Sequence, residues 1–160
     1  MSIKIGDKLP EATFMAPTAD GPAPMSTGDV FAGKTVALFA VPGAFTPTCS
    51  AKHLPSFRDA SEALGAKGVD AIACLSVNDV FVMGEWGKAS ASEGKIQMLA
   101  DGNGAFTKAI GLELDASGFG MGTRSQRYAM LVEDGVVKQL NIEEGGAYEV
   151  SSAEYMLGQL

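Results

Sequence analysis

The 160-residue chain has two cysteines and one histidine, and that scarcity excludes most metal-centred and Cys/His chemistry, which draws on clusters of such residues. Basic residues are also few. Twelve Lys and Arg stand against nineteen Asp and Glu, giving a formal net charge of −7 and a pI near 4.6. That sign is wrong for gripping phosphate backbones or anionic lipid, so neither nucleic acid nor a membrane surface is an expected partner. Long hydrophobic runs are missing too: the longest strongly apolar stretch, residues 36–41, falls far short of the ~18–20 residues that cross a bilayer. The opening MSIKIGDKLPEATF scatters Lys4, Asp7 and Lys8 among single apolar residues and never forms the apolar core of an export signal. With only two cysteines, this predicts a reducing, cytoplasmic setting in which thiols rather than disulfides are the default. No repeat, low-complexity tract or charge block divides the chain. What remains, 46% hydrophobic and 19% charged residues with a mean hydropathy of +0.13, describes one compact domain, residues 1–160.

Residues 35–41 (TVALFAV) are a short apolar run between Gly33-Lys34 and Pro42-Gly43, the pattern of a central strand covered on both faces. From Cys49, the residues Leu54, Phe57 and Leu64 recur at helical spacing, with Pro55 placed to kink the helix and Gly65 and Gly68 to end it. Residues 69–77 predict a second buried strand. Asn78-Asp79 then caps a helix carrying Phe81, Val82 and Trp86. A short strand over 96–100 and a short helix over 106–110 follow. Two strands around Asp134-Gly135 make a β-hairpin, and Ser151 with Glu154 predicts a capping box for a C-terminal helix. Residues 17–28, rich in Pro, Gly, Ser and Thr, predict a surface loop. Strands alternating with helices, then a hairpin and a last helix, give an α/β, thioredoxin-like fold with a central mixed sheet flanked by helices.

Gly28-Asp-Val-Phe-Ala-Gly33-Lys34-Thr35 matches the phosphate-loop pattern G-x-x-x-x-G-K-[ST] letter for letter. That pattern works only when a strand leads in and a helix follows, so that backbone N–H groups face the phosphates. Here the strand follows, and Lys34 is expected to be a solvated residue at a strand entry. Gly118-Phe-Gly-Met-Gly122 lacks both the spacing and the following helix of a dinucleotide site, and is expected to be a loop.

The segment Val41-Pro42-Gly43-Ala44-Phe45-Thr46-Pro47-Thr48-Cys49 runs from the central strand into the first turn of a helix. Unpaired N–H groups there favour an anion, which is why reactive thiolates gather at such positions. Pro47 suits an opening turn because it has no N–H to satisfy, and Thr46 sets a hydroxyl three residues before the sulfur. The same features also suit a small residue in a turn with a capping threonine, so spacing alone leaves both readings open. A thiolate that attacks a peroxide needs a hydroxyl to orient the substrate and a fixed cation beside it. Arg58, Arg124 and Arg127 are the candidate cations, the last two just ahead of the hairpin strand expected beside the central strand.

The runs VPGAFTPTCSAKHLPSF, KGVDAIACLSVNDVFVMGEWG, GKIQMLADGNGAF and RYAMLVEDGVVKQLNIEEGG together resemble the type II, or peroxiredoxin-5-like, branch of the peroxiredoxins over nearly the whole chain. The resemblance implies a thiol-dependent peroxidase acting on hydrogen peroxide and small alkyl hydroperoxides. It makes Cys49 the peroxidatic cysteine, Thr46 the hydroxyl that binds the peroxide, Pro42 the shield of the site and Arg127 the activating cation. The N–H groups of Gly43 and Cys49 complete the pocket, with Arg124 as a weaker candidate. Some relatives carry a resolving cysteine near the C-terminus where this chain has Val150. The resemblance therefore implies a one-cysteine enzyme with no cofactor, whose oxidised sulfur is reduced by an external thiol: glutathione with glutaredoxin, or thioredoxin. Cys74, in an apolar strand, is expected to be a structural thiol. His53, four residues after Cys49, is expected to pack at the pocket rim and tune the thiolate modestly, with a Cys/His dyad or metal pair as alternatives. Trp86, Phe45, Phe81 and Phe119 are expected in the core or at a homodimer contact.

Overall fold

The computed structural model describes residues 2–160. Its main sheet has seven strands in the order β2-β1-β5-β4-β3-β8-β9, built from β1 (Thr13–Thr18), β2 (Gly21–Ser26), β3 (Thr35–Val41), β4 (Ala71–Ser76), β5 (Gln97–Ala100), β8 (Tyr128–Glu133) and β9 (Val136–Ile142). β3, β4 and β5 run parallel, and the other pairings are antiparallel, so the sheet is mixed. A small second sheet pairs β6 (Glu113–Asp115) with β7 (Thr123–Ser125). The helices are α1 (Thr27–Phe31), α2 (Leu54–Asp59), α3 (Ser61–Ala66), α4 (Val80–Ala89), α5 (Ala105–Ala109) and α6 (Ala153–Gly158). This is the thioredoxin-like arrangement of a central mixed sheet between helical layers.

The two faces of β3 explain its uninterrupted apolar sequence. Alternate residues point to opposite sides of a strand: Ala37, Phe39 and Val41 join Leu54, Phe57, Met83, Trp86 and Met156 on one face, while Val36, Leu38 and Ala40 join Phe14, Leu75, Phe106 and Met130 on the other. Phe39 and Phe57 stack with ring centroids 4.4 Å apart, which docks α2 directly on the central strand. At the hairpin turn, Asp134 and Gly135 both take positive φ (48° and 79°), as a tight two-residue connection between twisted strands requires.

Two expectations are corrected. Residues 17–28 are not a loop: β1 and β2 form a hairpin with Pro17 opposite Pro22, and the segment ends in α1, capped by Ser26 and Asp29 in a reciprocal box. Pro22 and Pro24 are tolerated because β2 is the sheet edge, with one side free of ladder partners, and Pro17 lies beyond the one β1–β5 pairing, Met15 with Ala100. The C-terminal helix is capped by Ser152, whose side chain accepts from the Tyr155 N–H, and Ser151 is fully buried in another role. The phosphate-loop lookalike has the inverted order expected: Gly28 lies within α1, β3 begins at Thr35, and exposed Lys34 bonds the Asp29 carbonyl.

Candidate active site

β3 ends at Val41, and the chain then turns through Pro42–Thr46 before helical structure begins at Pro47. Phe45 sits at a φ of 64°, a left-handed conformation that costs a bulky residue energy and is held by its surroundings. Two contacts hold it. The Thr46 hydroxyl donates to the Gly43 carbonyl at 2.7 Å, and the Ala44 N–H donates to Asn78 Oδ1 at 3.0 Å. Asn78 is itself fixed by the Ser76 hydroxyl at 2.6 Å, so the end of β4 ties down the loop after β3. Asp79 alone caps α4; Asn78, expected as a cap, serves this loop instead.

Gly43 is the tightest point of the turn. A Cβ there would lie 3.0 Å from Thr46 Cγ2, 3.2 Å from the Met121 methyl and 3.4 Å from an Arg124 guanidinium nitrogen. Arg124, which donates from Nε to the Met121 carbonyl, thus borders the site without reaching the sulfur. Arg58 is elsewhere, bonded to Asp59 and to the Ser90 carbonyl. Pro42 is half-buried directly after β3.

Cys49 opens a π-helical turn, Cys49–His53, that runs into α2, and its sulfur belongs to a fully buried residue. The Leu54 N–H reaches back five residues to the Cys49 carbonyl. Pro55 accounts for the wide turn: it has no N–H to donate, and its ring crowds the carbonyl four residues before it. Pro55 therefore reshapes the turn ahead of it, and the helix expected to run on to Gly65 is instead broken at Ala60, between α2 and α3.

Arg127 precedes β8, whose Tyr128 pairs with Ala40 of β3, so the antiparallel register carries the guanidinium to the end of the strand that delivers Cys49. Its Nη2 lies 3.1 Å from Cys49 Sγ, and its Nη1 lies 2.9 Å from His53 Nδ1. His53 Nε2 lies 2.8 Å from the Ser151 carbonyl oxygen. A carbonyl only accepts and a guanidinium only donates, so the proton sits on Nε2 and Nδ1 is the acceptor. His53 is thus a neutral imidazole facing a cation. Burial, and then the Arg127 charge, push its pKa down to about 3. The ring is packed against Phe39, Phe57 and Tyr148, at centroid distances of 4.9, 5.8 and 5.4 Å.

This corrects the expected place of His53. It is fully buried rather than at a rim, and both ring nitrogens are committed, so it forms no dyad with the thiol. Glu143, which sequence reasoning missed, accepts from the N–H groups of residues 149, 150 and 151 and from the Ser151 hydroxyl. Cys74 is fully buried in β4, where burial first and the nearby Cys49 second push its thiol pKa up. Trp86 is buried and donates from Nε1 to the Ser50 hydroxyl at 3.1 Å, while Phe45, Phe81 and Phe119 are exposed.

Comparison with known proteins gives one consistent pattern. Residues 4–157 match the family model described as Redoxin. The chain is 51% identical to the chloroplastic peroxiredoxin-2E of Arabidopsis thaliana, covering 99% of this chain and 70% of that protein. It is also 51% identical to the chloroplastic peroxiredoxin-2E-2 of Oryza sativa subsp. japonica, covering 99% and 73%. Among solved structures, reduced Prx3 of Vibrio vulnificus in complex with hydrogen peroxide superposes with a TM-score of 0.94 at 54% identity, over 98% of both chains. The expectation of a cytoplasmic setting is overturned by the two plant relatives, both chloroplastic proteins. It rested on the absence of an export signal, and an N-terminal stretch shared with proteins of another compartment carries no such information.

Proposed function

Because this chain belongs to the redoxin family and within it to the type II peroxiredoxins, we propose that Cys49 is the thiol that meets the peroxide, with Thr46 and Arg127 as its direct partners and Pro42 and Gly43 lining the approach. The enzyme is a thiol-dependent peroxidase. The observation that carries the residue assignment is the 3.1 Å contact between Arg127 Nη2 and Cys49 Sγ, a fixed cation against a sulfur at a helix start. Arginine keeps its charge at any working pH and has further N–H donors for the peroxide oxygens. The Thr46 hydroxyl donates its hydrogen bond to the Gly43 carbonyl, so its oxygen is left to accept the O–H of a hydroperoxide.

The Cys49 thiolate attacks the protonated oxygen, the O–O bond breaks, and the departing alkoxide or hydroxide takes a proton from solvent. Sulfur is oxidised to a sulfenic acid and the peroxide is reduced to an alcohol or water. One external thiol then condenses with the sulfenic acid, forming a mixed disulfide and releasing water. A second thiol frees Cys49 and leaves as a disulfide. Two thiols thus supply the two electrons, and the balance closes without a cofactor. Glutathione with glutaredoxin, or thioredoxin, supplies them. Val150 at the expected place of a resolving cysteine and the buried, hard-to-ionise Cys74 support this one-cysteine scheme.

We also take the protein to be a homodimer, with Phe45 (54% exposed), Phe81 (70%) and Phe119 (86%) at the contact, since such aromatics are costly to leave in water. Residues 1–160 act as one domain, which two core clusters on opposite faces of one sheet support.

Peroxide consumption with the glutaredoxin and thioredoxin systems offered separately tests the scheme. Wild type turns over with at least one of them, and Cys49→Ser turns over with neither. A Cys49→Ser protein that still consumes peroxide removes the assignment.

A further inference from the structure

Glu143 follows β9, is 6% exposed, and among the described residues has no Lys or Arg within ion-pairing distance. A buried carboxylate without a countercharge is costly unless hydrogen bonds replace its water. Here one oxygen, Oε2, collects four: the N–H groups of Glu149, Val150 and Ser151 at 2.8, 2.9 and 2.9 Å, and the Ser151 hydroxyl at 2.6 Å. Successive N–H groups converging on one anion form a nest, and this one shapes residues 149–151 around the carboxylate. Burial works against the charge, yet the Ser151 hydroxyl and the three N–H groups outweigh it and hold the carboxyl below its usual range.

The segment held in this way presents a single group to the active site. The Ser151 carbonyl accepts from the His53 Nε2–H, and that choice of tautomer leaves Nδ1 free to accept from Arg127. Glu143 reaches Arg127 by a second route as well, because its own backbone N–H donates to the Arg127 carbonyl at 3.0 Å. One residue therefore holds the arginine at both ends, its main chain directly and its guanidinium through Ser151 and His53.

We propose that Glu143 is a positioning residue for the peroxide reaction: its carboxylate clamps residues 149–151 so that the Ser151 carbonyl sets the His53 ring, and that ring holds the Arg127 guanidinium against Cys49 Sγ. The proposal rests on the reading of Cys49 and Arg127 given above. The two fail differently: if that reading is wrong, Cys49→Ser keeps turning over, whereas if only the Glu143 role is wrong, Cys49→Ser is inactive and the Glu143 variants are unimpaired.

The test measures the rate constant for oxidation by hydrogen peroxide and the pH profile of Cys49 alkylation by iodoacetamide, read by mass spectrometry. A loosened guanidinium weakens an opposite charge beside the thiol, so Glu143→Ala is expected to slow oxidation about tenfold and move the alkylation midpoint up by about one pH unit. Glu143→Gln keeps an acceptor oxygen in the nest and should recover oxidation to within about threefold of wild type. In a His53→Phe background, which removes the Nδ1 acceptor, Glu143→Ala should cost less than about twofold more, because both changes cut one chain. If Glu143→Ala does not fold, Ser151→Ala, which removes one of the four donors, is expected to slow oxidation about threefold with the midpoint moved the same way. Oxidation within about twofold of wild type with an unmoved pH profile in Glu143→Ala, or in Ser151→Ala where Glu143→Ala does not fold, overturns the proposal, and so do fully additive costs of the Glu143 and His53 changes.

Discussion

At the scale of single residues, the site depends on groups whose position matters more than their identity in the sequence. Gly43 has unstrained backbone, so its lack of a side chain matters only for space, and that space is occupied by Thr46, Met121 and Arg124. Gly43→Ala should push the Thr46 methyl by a few tenths of an ångström and misplace the hydroxyl beside it. Oxidation by peroxide is expected to slow about tenfold while the thermal midpoint moves by only a few degrees, because a displacement near 1 Å in a reacting site costs far more in rate than in stability. Stopped-flow oxidation and a melting curve on one sample check this, and an unchanged rate rules it out. The local motif brought Cys49 and Thr46 forward as candidates, while strand order left Arg127 as one of three arginines that only the family resemblance told apart. Glu143 and Ser151 were not legible in the sequence. Ser151 meets His53 across 98 positions of chain, Glu143 reaches that ring only through Ser151, and an acidic residue after a strand has no local signature of burial.

At the scale of elements, β3, β4 and the β8–β9 hairpin could be read directly because uninterrupted apolar runs and an Asp-Gly turn have few alternatives. The β1–β2 hairpin could not, since three prolines in and after residue 17 imitate a loop until the edge position of β2 is known. The turn that carries Cys49 shows the same dependence on context. Pro55 was legible as a disturbance, but its effect lies upstream, in the wide turn between Cys49 and Leu54. Pro55→Ala restores an N–H and removes the ring clash, which permits an ordinary α-helical turn. The expected result is a protein as stable as wild type or more so, with peroxide oxidation slowed several-fold as the sulfur rotates away from Arg127. Denaturation midpoints and oxidation rates measured together decide it; a variant equal to wild type in both would remove Pro55 as the cause of the turn.

At the scale of the whole molecule, the lone histidine makes folding stability respond to pH in a separable window. Unfolded, His53 takes up a proton around its ordinary 6.5; folded, it resists until about 3. Below pH 6.5 the unfolded chain therefore binds the extra proton, and stability fully present above that pH is lost as pH falls toward 3. The loss is about 1.4 kcal/mol for each pH unit, so unfolding by urea should be roughly 2 kcal/mol easier at pH 5 than at pH 7, before most carboxylates titrate. His53→Gln should flatten that slope, and a wild type equally stable at both pH values contradicts the buried neutral ring.

The closed position of the Cys49 sulfur has a kinetic consequence. An atom with no exposed surface can be touched only after its neighbours shift, and a thiol carried on a protein needs a far larger shift than a peroxide of a few heavy atoms. The two halves of the cycle thus differ in what limits them. The first scales with peroxide concentration, whereas the second reaches a ceiling set by how often the turn from Cys49 to His53 opens, and above that ceiling more reductant brings no further speed.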